Sequence, residues 1–93
     1  MIVSTLRIKL YAPMCHSLKD KRMIVKSIVQ RARNKFNISI AEIEEQDLYQ
    51  TIVIGVACLS TARTQANAVL NEVMKFIEAN TEAEITDIIF EDR

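Results

Sequence analysis

An α+β fold of order βαββαβ, with two helices on one face of a four-stranded antiparallel sheet, is predicted by three observations. Two segments carry apolar stripes at helical spacing, one within residues 18–36 and one within residues 62–79. Four short segments before, between and after them read as strands. The 93 residues hold one Gly, one Pro and no Trp, so turn formers are scarce and the elements must be few and closely joined.

Each element has its own justification. Residues 2–11 alternate, with Leu6, Ile8 and Leu10 on one side and Thr5, Arg7 and Lys9 on the other, a strand with one buried face. The segment Tyr11 to His16, with Pro13, breaks it. Ser17 reads as an N-cap, with Asp20 three residues on as its capping-box partner. In the helix that follows, Leu18, Val25, Val29, Ala32 and Phe36 share one side with Ile28 at its edge, and Asn37 ends it. A second strand spans residues 38–44. Ile38 and Ile40 are in phase there and Ile43 is not, which predicts a bulge or twist. Glu44 to Asp47 form the hairpin loop. Residues 51–59 are almost continuously apolar, so this strand has no polar side and belongs at the centre of the sheet, covered on both faces. Ser60 or Thr61 caps a second helix with the stripe Ala66, Val69, Leu70, Val73, Phe76 and Ile77. Residues 83–91 form the last strand.

Helices with one apolar stripe each, on one side of such a sheet, make the ferredoxin-like plait. At this length the chain is a single domain over residues 1–93, without linker, repeat or low-complexity segment. No apolar run reaches the roughly 18 residues that cross a membrane, and the N-terminus lacks the pattern of a secretory leader. Two cysteines are too few for a disulfide scaffold; free thiols in a cytoplasmic protein are the expectation.

Charge is split along the chain. Residues 1–36 hold nine Lys or Arg and one acid, and residues 37–93 hold three Lys or Arg and eleven acids. The net charge of zero therefore hides +8 and −8 halves. One reading is that the halves neutralise each other, within a molecule or across a dimer. The other is an anionic partner. On the first helix, Lys19, Arg22, Lys26 and Arg33 fall within about 60° of one another, beside the apolar side. Lys21, Arg31 and Lys35 flank the opposite edge. The helix start adds free N–H groups and a positive dipole end. Ser17, Lys19, Lys21, Arg22, Lys26 and Arg33 are thus the candidate nucleic-acid-binding set.

Other chemistries fit less well. Base stacking on the sheet is disfavoured, because residues 51–59 have no aromatic and the first strand has only Tyr11. The loop Pro13 to Ser17 holds one Cys and one His, short of a metal site, with Leu18 where a second loop Cys would stand. Cys15 and His16 lack an evident third partner for nucleophilic catalysis. An acylphosphatase-like phosphate loop needs Gly and Arg after the first strand, and neither is present. Glu42, Glu44, Glu45 and Asp47 read as a solvated hairpin tip rather than a divalent-ion site. The expectation is a protein that is not an enzyme and needs no cofactor or metal.

Three stretches resemble the YlxP-like family, a bacterial domain of unknown function. They are His16 to Arg22 (His-Ser-Leu-Lys-Asp-Lys-Arg), Arg33 to Glu42, and Gln46 to Gln50, and the resemblance covers essentially the whole chain. Ser17, Leu18, Lys19, Lys21, Arg22, Asn37, Glu42, Gln46, Asp47 and Gln50 match its motif positions, while residue 4 is Ser where Gly is common. The resemblance implies a ferredoxin-like fold. It also implies, through genes that lie among those for transcription elongation, translation initiation and ribosome maturation, an accessory role linked to RNA or the ribosome. No catalytic residues are established for the family. The alternative is a protein-interaction or self-assembly module with no nucleic-acid role. Because alternate residues of 51–59 must face away from the helices, homo-oligomerisation through the open sheet face is a further expectation.

Overall fold

The computed structural model describes residues 1–92 and has the predicted order: β1 (Ile2–Tyr11), α1 (Leu18–Lys35), β2 (Ser39–Glu44), β3 (Thr51–Ser60), α2 (Arg63–Ala79) and β4 (Glu84–Asp92). The strands form one antiparallel sheet in the order β2-β3-β1-β4. This is the ferredoxin-like plait, with β1 and β3 at its centre.

Register follows the pattern of the sequence. Leu6, Ile8 and Leu10 pair with Val56, Ile54 and Ile52, and all six are buried beneath the helices. Ala66, Leu70, Val73 and Ile77 of α2 and Ile28 and Ala32 of α1 close this core. Burying each large aliphatic side chain contributes about 1.5–3 kcal/mol. Ser4 is also buried on this side, and its hydroxyl donates to Asp92 at 2.8 Å, which satisfies the polar group.

The predicted change of phase in β2 is a bulge between Glu42 and Glu44. It leaves Ile43 over Gly55, where a Cβ on residue 55 would stand 3.0 Å from two Ile43 carbons. A second bulge lies where β4 meets β1 between Lys9 and Leu10.

Three sequence expectations are corrected. The N-cap of α2 is Ala62, not Ser60 or Thr61; the Ser60 hydroxyl instead accepts from the Ala62 N–H at 3.2 Å. β3 is central but is covered by helices on one face only. Its other face presents Thr51, Val53, Gly55, Ala57 and Leu59, of which Val53 is buried and Leu59 is 64% exposed. The inward side of α1 is centred on Ile28 and Ala32, with Lys21 between them, so Lys21 does not lie at a solvated edge. No helix among the described residues is long and apolar enough to cross a membrane.

Candidate nucleic-acid interface

The first turn of α1 is fixed by its cap. The Ser17 hydroxyl accepts from the Asp20 N–H at 3.1 Å, and the Asp20 carboxylate accepts from the His16 N–H at 3.0 Å. This reciprocal pair satisfies two free donors. It also assigns Ser17 a structural task, since its oxygen already holds the N–H it would otherwise leave for a ligand.

Lys21 is 1% exposed, and its ammonium is fully engaged. It donates to the carbonyls of Glu45 at 2.6 Å and Leu48 at 2.5 Å and lies 2.9 Å from the Glu42 carboxylate. Two carbonyls accept its hydrogen bonds, and the carboxylate balances its charge as an ion pair, although Glu42 Oε2 has no hydrogen-bond partner among the described residues. The contact fastens the loop after β2 to α1. Glu45 holds φ at +57°, a left-handed conformation that costs a side-chain-bearing residue about 1–2 kcal/mol. Its carbonyl is held there by Lys21 and by the Leu48 N–H at 3.1 Å. Gln50 completes the tie: its amide donates to the carbonyls of Pro13 and Cys15 at 3.3 and 3.1 Å.

Lys21 therefore leaves the candidate anion-binding set. Arg33 is partly committed, since its guanidinium donates to the Ile40 carbonyl on β2 at 3.1 Å. Lys35 lies 5.0 Å from the Phe76 ring centre and 5.9 Å from that of Phe36, over an edge-to-face pair that joins the helices. Lys19, Arg22, Lys26 and Arg31 remain. All four are exposed, and none has an ion-pair partner among the described residues. A shallow groove of about 420 Å³ runs along this side, lined by Met23, Lys26, Ser27, Gln30, Arg31 and Asn34.

On the open face of the sheet, Arg7 bridges β1 to both edge strands. Its guanidinium is bonded to Glu44 through Nε at 3.1 Å and through Nη2, and it lies 3.9 Å from Asp87. The hydrogen bond it donates to Glu44 raises the arginine pKa further above its ordinary value. Glu42 and Glu44 thus serve cations on opposite sides of the sheet rather than forming one acidic tip. Three ion pairs (Arg7 with Glu44 and Asp87, Lys21 with Glu42) join the basic half of the chain to the acidic half. Part of the charge split is consumed inside the molecule. Cys15 is buried, and burial pushes its thiol pKa up.

With this geometry in place, likeness to known proteins can be read. Residues 3–89 match the family described as "Protein of unknown function (DUF503)". The chain belongs to this family. It is also 44% identical over 70 residues to the "Uncharacterized protein YlxP" of Bacillus subtilis (strain 168), covering 75% of this chain and 76% of that protein. Among solved structures, "De novo designed protein Foldit4" superposes with a TM-score of 0.52 at 8% identity, over 99% of this chain and 94% of that one. That likeness shows the fold alone.

Within this family member, half of the ten positions that carry the resemblance have structural tasks shown by hydrogen bonds or ion pairs. Ser17 caps α1, Lys21 and Glu42 pair, and Gln50 ties two loops. The Gln46 amide reaches the Glu42 carbonyl at 3.5 Å. Lys19 and Arg22 stand apart: they belong to the same run as Lys21, yet are exposed and without an ion-pair partner among the described residues. The sequence carried the signal for Lys21. Laid around a helix at about 100° per residue, it falls between Ile28 and Ala32, inside the apolar side.

Proposed function

We propose that this protein is a non-catalytic cytoplasmic accessory protein that binds RNA, or RNA within the ribosome, through the outward side of α1. The observation that carries the reading is the group Lys19, Arg22 and Lys26, exposed and without acidic partners among the described residues, on a helix that commits Lys21, Arg33 and Lys35 to internal contacts. Free surface cations attract a phosphate backbone and release its counterions. Arg31, Gln30 and Asn34 extend the same surface with further donors. The gene neighbourhood implied by the family resemblance agrees with an RNA-linked role. The buried, protonated Cys15 is unlike a nucleophile, which supports a role without catalysis.

The test is binding of a labelled single-stranded RNA across a salt series. Replacing Lys19, Arg22 and Lys26 together by Gln should lower the slope of log affinity against log salt by about 2, at roughly 0.7 for each phosphate that is no longer neutralised. A folded triple variant with unchanged affinity and slope overturns the reading. Pull-down from a bacterial lysate adds the second arm: partners released by ribonuclease treatment support RNA, and partners retained point to protein contact.

A further inference from the structure

The two edges of the sheet and its open face are treated differently by the fold. On edge strand β2, the Ile40 carbonyl accepts from Arg33 and the Glu42 carbonyl from Gln46. Edge strand β4 is bulged and carries Glu84, Asp87, Glu91 and Asp92. Occupied acceptors, a bulge and edge charge all oppose strand-to-strand association. The open face differs in that its central charge, Arg7, is already paired with Glu44 and Asp87. Ile43, Leu59 and Ile89 are 47%, 64% and 39% exposed there. Ile43 and Ile89 line a trough of about 450 Å³ with Thr5 and Ala57, and Ile43 covers Gly55 within it.

We infer that this face, centred on Ala57 and Leu59, is the interface of a dimer of this chain, beyond the RNA reading and independent of it. Four observations select a second copy as the occupant. Small residues, Thr5, Ser39, Ala41 and Ala57, line the trough beside Ile43 and Ile89, so a copy turned about a two-fold axis can set its exposed Leu59 over Thr5 and Ala57. The central cation of the face is neutralised in advance, because Arg7 holds Glu44 and Asp87; covering it strands no charge. Both signs occur on the face, with Lys9 and Arg7 among Glu44, Glu84 and Asp87, as a self-complementary patch requires. The area also suffices. Four strands at about 4.8 Å spacing and about nine residues at 3.3 Å outline roughly 600 Å². Two such faces give about 1,200 Å², the lower end of stable interfaces. Sheets packed face to face lie about 10 Å apart, so the helices, and with them the basic side of α1, stay on the outside of the pair.

The experiment is sedimentation equilibrium of the nuclease-treated full chain, from low to high micromolar concentration. The unmodified chain should approach twice the monomer mass. Ala57→Glu and Leu59→Glu should each shift the dimer dissociation constant upward by at least tenfold, with an unchanged far-ultraviolet circular dichroism spectrum. Leu59 is solvent-exposed in the single chain, so its replacement does not burden folding. Leu48→Glu, at an exposed position in the loop between β2 and β3, should leave the dimer intact. A monomer throughout the concentration range overturns the inference. So does a dimer that persists in both face variants, or one that Leu48→Glu dissolves instead. None of these outcomes depends on RNA binding, which the α1 triple variant tests separately.

Discussion

Lys19 and Lys21 stand two residues apart on α1 and face different media. Lys19 is exposed and has no ion-pair partner among the described residues. Lys21 is buried, with two carbonyls and a carboxylate around its ammonium. Both count equally in a charge census, but only the outward one is available to a ligand. The inward one substitutes for a core residue and serves as the anchor of a loop. A run of cations in a sequence is therefore a surface only after helical phase has been applied to it.

The sharpest way to break this contrast is to remove the inward charge. Lys21→Met leaves Glu42 without its counter-ion and two carbonyls without their donor. It should cost about 3–5 kcal/mol in urea unfolding, the range for breaking a buried pair from one side. If it costs less than 1 kcal/mol, the ammonium is not the anchor described above. Adding Glu42→Leu should restore part of that loss, since no bare carboxylate then remains, while the two loop carbonyls still lack a donor.

Smaller effects sharpen the same comparison. Ser17→Ala removes the cap of α1 and should cost about 1 kcal/mol. Glu45→Gly relieves the left-handed backbone in the loop that Lys21 holds and should raise the thermal midpoint, with a gain of at most about 1 kcal/mol. Lys19→Gln should change stability by no more than about 0.5 kcal/mol, because the Lys19 side chain is exposed and has no ion-pair partner among the described residues. A pH series probes the buried thiol at the same end of the molecule. Burial raises the Cys15 pKa in the folded state, so above the ordinary thiol value of about 8.5 the unfolded chain ionises first. Its contribution is complete below that value and is lost as pH rises beyond it. The urea midpoint of Cys15→Ala, a variant that cannot titrate there, should fall less steeply between neutral and alkaline pH than that of the unmodified chain.

The fold was legible because its signals are periodic. Alternation in residues 2–11, the stripes of both helices and the change of phase at Ile43 each correspond to an observed element or bulge. The family was legible from the runs around Lys19, Glu42 and Gln50. What was not read depends on contacts between distant segments. The bond from Arg33 to Ile40, the span of Arg7 to Glu44 and the link from Gln50 to Pro13 have no periodic signature, because each joins elements that meet only after folding. The α2 cap was misplaced for a local reason. Ser60 remains in β3 and turns its hydroxyl to the next bend, so Ala62 starts the helix without a side-chain cap. Lys21 is the exception, since its phase was present in the sequence and was outweighed by its charge.

The enclosed ammonium also gives the molecule an internal clock. Amine-reactive reagents modify deprotonated, accessible lysines. Lys9, Lys19, Lys26, Lys35 and Lys75 are open to them, while Lys21 is shielded by its loop. A peptide map taken at successive times should show five lysines acylated early and one late. The lag of that sixth site measures how often the loop between β2 and β3 lifts from α1, in the folded protein and without denaturant.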